Sequence, residues 1–294
     1  MITIFLNFSL KGKKTGSFEG RVRKYLTDIS IYLPFLNDVN LVLETSNNFP
    51  SGAGIASSAS GFGAIAYALT ELERILFKKN KVDVQKASCM ARIGSGSACR
   101  SVMGGWNLWG KTDDIQDSSD EYAVSLNPFV HETFKTYQDT ILIVDKNPKK
   151  VSSSKGHKLM NNHIFAQARY EQARENIHRL LEVLRTGNVF EFVVLAEQEA
   201  LSLHAMMMTS NPSYLLMLPN TLNIISSIRK YRSDTGFPVS FTLDAGANVH
   251  LLYPKKIKDD VNRFIQNELI RFCEEDSFIE DEVGEGPKVF IQNF

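Results

Sequence analysis

From Ser58 onward, apolar residues recur at three- and four-residue steps, at Phe62, Ile65, Leu69, Leu72 and Ile75. That spacing predicts a helix with one buried face. Asp83 stands before a second such run and predicts a capped helix ending at Ile93. Gly20–Leu33 reads as a short amphipathic helix that stops before Pro34, because the residue ahead of a proline avoids helical geometry. Two longer helical stretches, Asn161–Leu184 and Val189–Met207, are parted at Gly187, and Ile257, Val261, Phe264, Ile265 and Leu269 share one face of a further helix over Lys256–Phe272. Alternating or continuous apolar runs predict strands at Ile2–Leu10, at Val39–Thr45 ("VNLVLET"), at Thr140–Asp145 ("TILIVD") and in the closing "PKVFIQ". "RSVMGGWNLWG" reads as a strand or hairpin, and "VSFTLDAGANVHLLY" as strand, tight turn, strand. Asp113–Tyr122 is an acidic surface loop. The polar, turn-rich Asn147–Gly156 predicts a crossover between two domains, residues 1–150 and 151–294. Helices and strands mixed in two halves imply an α/β plus α+β architecture.

Composition narrows the function. Lys plus Arg equals Asp plus Glu at 33 each in 294 residues, which argues against a general nucleic-acid binder or an anionic-membrane binder and leaves room for a local basic pocket. The three cysteines, Cys89, Cys99 and Cys273, form no CxxC pair and read as reduced thiols of a cytoplasmic protein. No apolar run is long enough for a membrane span, and "MITIFLNFSLKGKK" has its lysines on the wrong side for a signal peptide.

Three stretches carry chemistry. "NNFPSGAGIASSASGFGA" runs from turn residues into the start of the helix at Ser58. The first amides of a helix lack partners and sit at its positive end. Gly52, Gly54, Ala53 and Ala56 leave those amides uncovered, and Ser57, Ser58 and Ser60 add hydroxyls, a combination that suits a polyphosphate. The alternative is a small-residue turn for close packing. No Gly-Lys-Ser/Thr follows, and Ser57 occupies the third glycine position of a dinucleotide fingerprint, so neither of those loops is present. "ARIGSGSACRS" repeats the device: Gly94 and Gly96 turn the chain, Ser95 and Ser97 present hydroxyls, and Arg100 can fork onto a carboxylate or phosphate. A surface loop with a solvated arginine is the competing reading. In "FTLDAGANVH", Asp244 ends a strand where a carboxylate can point into a cleft; a turn aspartate bonded to its own backbone is the commoner use.

In this order and approximate spacing, the three stretches resemble the motifs of the diphosphomevalonate decarboxylases, within the GHMP kinase superfamily. "VSSSKG" and "LHAMMMTSNPSYLLML" resemble two further family segments, so the likeness runs over nearly the whole chain. The resemblance implies an α+β, GHMP kinase-like two-domain fold, with a ribosomal protein S5 domain 2-like N-terminal half and a ferredoxin-like C-terminal half. It implies an enzyme that uses ATP and a divalent metal such as Mg2+ to convert mevalonate 5-diphosphate to isopentenyl diphosphate, carbon dioxide, ADP and phosphate. Under it the loop holding Pro50, Ser51, Gly52, Gly54, Ala56, Ser57, Ser58 and Ser60 binds the ATP phosphates. Ser95, Ser97 and Ser153 contact substrate, Arg100 grips its carboxylate, and Asp244 is the catalytic carboxylate beside the tertiary hydroxyl. Metal ligands are not assigned. A cytoplasmic homodimer is the family's default.

The chain also departs from the family. The string Lys-Tyr-Trp-Gly-Lys is absent; Lys24-Tyr25 is not followed by it and falls in an expected surface helix, so no role passes to that pair. Motif order places Met1 downstream of the family's first strand, an expectation of an N-terminally short chain with weakened activity and an exposed sheet edge. Ser154 stands where some members carry arginine. Two other readings therefore stay open: a GHMP-type kinase acting on mevalonate or a phosphomevalonate, and a truncated, impaired homologue. Met206, Met207, Met208 and His204 read as packing residues, Trp106 and Trp109 as core or edge aromatics, and Cys99 as a bystander.

Overall fold

The computed structural model describes residues 16–45, 57–147 and 160–289. They divide into two units, one holding 16–45, 57–126 and 284–289, the other 127–147 and 160–283. The division expected at residue 150 therefore falls inside the second unit. The expected strand at Ile2–Leu10 and most of the crossover stretch lie outside the described residues.

The first unit is helical at its centre. Helix α1, Gly16–Ile29, buries Val22, Tyr25 and Ile29 along one face, and Leu33 continues the same core. Lys24 is exposed and pairs with Asp28, but Tyr25 is a core residue, edge-on to Phe62 at 4.9 Å, which corrects the surface reading of that pair. Helix α2, Ser57–Leu76, buries Phe62, Ile65 and Leu69 as their spacing predicts; Ile75 is exposed, because 3.6 residues per turn carries a three- and four-step row off the buried face by the helix end. Helix α3, Val84–Gly94, starts at Asp83, whose carboxylate accepts the Lys86 amide at 3.0 Å. A 3-10 helix, Gly96–Val102, follows at once, and then the antiparallel pair β1, Asn107–Trp109, and β2, Ala123–Ser125. The acidic loop Asp113–Tyr122 lies between these two strands, so the hairpin closes further along the chain than the expected stretch "RSVMGGWNLWG". Val39–Thr45 keeps alternating burial, but only Asn40 makes a bridge, so the predicted strand is extended chain here.

The second unit is a four-stranded antiparallel sheet backed by helices, in the order β4-β5-β3-β6. A short helix α4, Glu132–Lys135, leads into β3, Gln138–Leu142. Helices α5, Ala166–Thr186, and α6, Val189–Thr209, meet at Gly187, a left-handed C-cap with φ +79°, and Asn188, whose side chain accepts the Glu191 amide at 3.2 Å. Helix α7, Pro219–Thr235, was not foreseen; its buried Ile224, Ile225 and Ile228 are diluted by polar neighbours. Strands β4, Ser240–Leu243, and β5, Val249–Tyr253, form the expected hairpin, with Phe241, Leu243, Val249, Leu251 and Tyr253 all buried on one face. Lys256–Phe272 buries the five predicted apolar residues, with helix α8 confined to Lys258–Phe264 and a wider turn at Ile265–Leu269. The last strand among the described residues is β6, Phe278–Glu282, upstream of the expected "PKVFIQ", whose described residues are not in a strand.

The α6–α7 seam is ionic. Glu197, 6% exposed, receives Arg229 at 3.0 Å and Arg232 at 2.6 Å, and Arg232 also donates to the Val239 carbonyl at 2.6 Å. Charges buried this way are tolerable only when every lone pair is met.

Candidate active site

Of the expected nucleotide loop, Pro50, Ser51, Gly52, Gly54 and Ala56 lie outside the described residues, as does Ser153. Ser57, Ser58 and Ser60 form the first turn of α2, a 20-residue helix with no acidic residue in that turn. No carboxylate within that turn offsets the positive end of the helix, which suits an anion there.

The serine-glycine stretch around Arg100 packs onto the same helix. Gly94 is the last residue of α3, and a Cβ there would meet the Phe62 ring at 2.4 Å; a Cβ at Gly96 would meet Trp109 at 2.9 Å. Neither glycine is among those with positive φ. They are present for close approach, not to turn the chain, which corrects the sequence reading; the turn is made by Ser95 in extended geometry. Ser88, fully buried on α3, donates to the Cys99 carbonyl at 2.7 Å and accepts the Ala123 amide at 2.9 Å, so one hydroxyl fastens the 3-10 helix and β2 to α3. Ala98, Cys99 and Val102 face inward and Arg100 faces solvent. Among the described residues no carboxylate pairs with its guanidinium. Burial pushes the Cys99 thiol up, which suits the bystander role.

Asp244 belongs to the second unit. It follows β4, is exposed, and its carboxylate makes no hydrogen bond among the described residues. The backbone around it is held from several sides. The Asp244 carbonyl accepts the Gly246 amide at 2.7 Å and the His204 Nε2–H of α6 at 3.0 Å. Thr221 of α7 donates to the Ala247 carbonyl at 2.7 Å. Asn248 accepts the Val144 and Asp145 amides at 2.8 and 3.0 Å and donates to the Asp145 carbonyl at 3.1 Å. The structure thus fixes the loop's main chain, and no described residue engages its one carboxylate. His204 was set aside in the sequence as a packing residue; its partner is forty positions away, and nothing local signals the contact. Thr221 is equally silent, whereas Asn248 lies within the "DAGAN" string.

On the sheet beneath, His250 of β5 has Nδ1 2.9 Å from Asp139 Oδ2 of β3. Burial alone would lower the imidazole pKa, but the hydrogen bond and charge of Asp139, helped by Asp244 and Asp281, outweigh it and raise the pKa. A raised folded-state pKa contributes stability below the unfolded value of about 6.5 and loses it as pH climbs through the folded value. Asp139→Asn should therefore lower the melting temperature most below about pH 6.5, with the gap from wild type narrowing as the pH is raised above that value. A gap that widens with pH in paired thermal melts would overturn this.

Among the described residues no three His, Cys, Asp or Glu cluster as a ready-made metal site. That fits Mg2+ as easily as it fits none, since Mg2+ is commonly held by substrate phosphates with one or two protein oxygens. No described helix is long and apolar enough to cross a membrane.

Two family models between them match most of the chain. Residues 6–121 match the diphosphomevalonate decarboxylase-like N-terminal domain, and residues 140–290 match the mevalonate 5-diphosphate decarboxylase C-terminal domain. The chain belongs to the diphosphomevalonate decarboxylase family. The diphosphomevalonate decarboxylase of Saccharomyces cerevisiae is 31% identical over 256 residues, 83% of this chain and 61% of that protein. Among solved structures, mevalonate diphosphate decarboxylase from Staphylococcus aureus superposes with a TM-score of 0.80 at 25% identity, covering 95% of this chain and 80% of that one. A structure described as MDDEF in complex with MVAPP, AMPPCP and magnesium gives 0.78 at 25% identity, covering 97% and 83%. The two-domain GHMP-like fold expected from the sequence is thereby established. The chain spans about three fifths of the length of the curated relatives it matches.

Proposed function

We propose that this decarboxylase-family chain carries out the ATP-dependent decarboxylation of mevalonate 5-diphosphate. The observation that carries the reading is Asp244: an exposed carboxylate, unengaged among the described residues, on a loop whose backbone is tied to α6, α7 and the stretch just past β3. A loop fixed so thoroughly around a side chain that no described residue engages is what a positioned base requires.

The ATP phosphates would lie at the start of α2, where the amides of the first turn and the hydroxyls of Ser57, Ser58 and Ser60 offer donors. Mg2+ would come with those phosphates and neutralise charge on them. The solved MDDEF complex with an ATP analogue and magnesium supports that pairing. Ser95, Ser97 and Arg100 take the substrate side, with Arg100 forking onto the carboxylate that will leave. Asp244 orients the tertiary hydroxyl and accepts its proton as the γ-phosphate arrives on that oxygen. The C–O bond to the phosphorylated oxygen then breaks, phosphate departs with that electron pair, and positive charge builds on carbon. Loss of carbon dioxide from the neighbouring carboxylate supplies the electrons of the new double bond. A guanidinium suits this carboxylate because it pairs without giving up its proton.

Incubation of the purified chain with mevalonate 5-diphosphate, ATP and Mg2+ should release carbon dioxide and free phosphate in equal amounts with ADP. ADP accompanied by a stable phosphorylated alcohol, with no carbon dioxide, would replace the decarboxylase reading with that of a kinase.

A further inference from the structure

We infer that His204 is the positioning residue for Asp244, acting through its main-chain carbonyl; this rests on the reading of Asp244 as the base. The Asp244 carbonyl accepts two hydrogen bonds of different kinds. The one from the Gly246 amide, at 2.7 Å, closes a local turn and sets its shape. It says nothing about where the turn sits on the unit. The one from His204 Nε2, at 3.0 Å, comes from α6 and does. Thr221 and Asn248 hold the far end of the loop, at Ala247 and Asn248. Among the described residues, His204 is the one side chain outside the loop that holds its Asp244 end.

The chemistry of the contact is definite. A carbonyl oxygen only accepts, so Nε2 carries the proton. His204 is 1% exposed, and burial lowers its pKa despite the opposing pull of Asp244, so the ring is the neutral Nε2–H tautomer. Packing does not call for a histidine at this position. Ala200 and Met206 of the same helix are buried, as are Phe241 and Leu243 of β4, without any polar contact. A buried imidazole in their company needs a partner for its N–H, and the partner here is the peptide whose plane sets the direction in which the Asp244 side chain leaves the backbone.

The test compares His204→Gln with His204→Asn. The glutamine amide places an N–H donor at about the reach of Nε2, and the shorter asparagine amide does not. The asparagine variant should lose on the order of 10-fold in kcat, with KM for ATP and for mevalonate 5-diphosphate unchanged, because a displaced base costs the transition state and not binding. Its Gly246 amide should exchange with deuterium faster, since the carbonyl that accepts that N–H is no longer anchored to α6 and the turn opens more often. Glutamine should restore most of both. Equal kcat values and equal Gly246 exchange in the two variants, whether both like wild type or both reduced, would overturn the inference, as would a loss carried by KM. Turnover surviving in Asp244→Asn would instead remove the base assignment, and Gly246 exchange would still report whether His204 holds the loop.

Discussion

Replacing Asp244 with asparagine should lower kcat for carbon dioxide release by about 10³-fold or more while leaving the fold intact. The size of the effect follows from what the substitution removes. Asparagine keeps the shape and a hydrogen-bonding oxygen but cannot take a proton, so the hydroxyl must lose its proton to water as phosphate arrives. The indifference of the fold follows from the structure. The carboxylate is exposed and unpartnered among the described residues, and every hydrogen bond that holds the loop runs through its backbone, Asn248 or Gly246. Substitutions at such positions usually move stability by no more than about 0.5 kcal/mol. KM for ATP should stay near its wild-type value, because the role belongs to the transition state. Turnover in Asp244→Asn within a few-fold of wild type, measured beside an unchanged melting temperature, would end the proposed mechanism.

The second large effect is expected at Arg100. Arg100→Lys keeps the charge and gives up the planar fork; Arg100→Ala gives up both. A charge-assisted hydrogen bond is worth about 1.5–3 kcal/mol, so the lysine variant should lose on the order of 10- to 100-fold in kcat/KM for mevalonate 5-diphosphate and the alanine variant more. The loss should fall on the substrate and not on ATP. Neither variant should unfold, because the 3-10 helix is held by buried Ala98, Cys99 and Val102 and by Ser88 from α3, while Arg100 itself is exposed. An alanine variant with wild-type kcat/KM for substrate would show that the carboxylate is gripped elsewhere.

The parts legible in the sequence were those whose cause is local. Periodic apolar spacing located α2, α3 and the α5–α6 pair; Asp83 and Gly187 fixed helix ends through caps that involve residues a few positions away. The β4–β5 hairpin was visible because small turn residues stand between two apolar runs. Strand β6 was hidden because Glu280, Asp281 and Glu282 carry little strand preference; the strand exists because β3 offers a ladder, with Gln138 reaching Glu282 at 2.7 Å and Lys258 reaching Glu280 at 2.9 Å. Helix α7 was missed for a related reason, its amphipathic signal being diluted by serines and asparagines. Of the candidate residues, Ser58, Arg100 and Asp244 are each legible from their own neighbourhoods, but His204 and Thr221 bond to residues distant in sequence. The glycines at 94 and 96 were noticed for a wrong reason: what they admit is an aromatic ring, not an unusual backbone angle.

Asn248 bridges two segments that are usually thought of separately. Its amide group fastens the hairpin carrying Asp244 to Val144 and Asp145, just past the end of β3. Anyone exchanging this hairpin with that of a relative would be swapping half of a joint. A transplant that brings its own 144–145 backbone should keep its alignment, and one that does not will inherit a mismatched seat for the carboxylate even if every hairpin residue is identical.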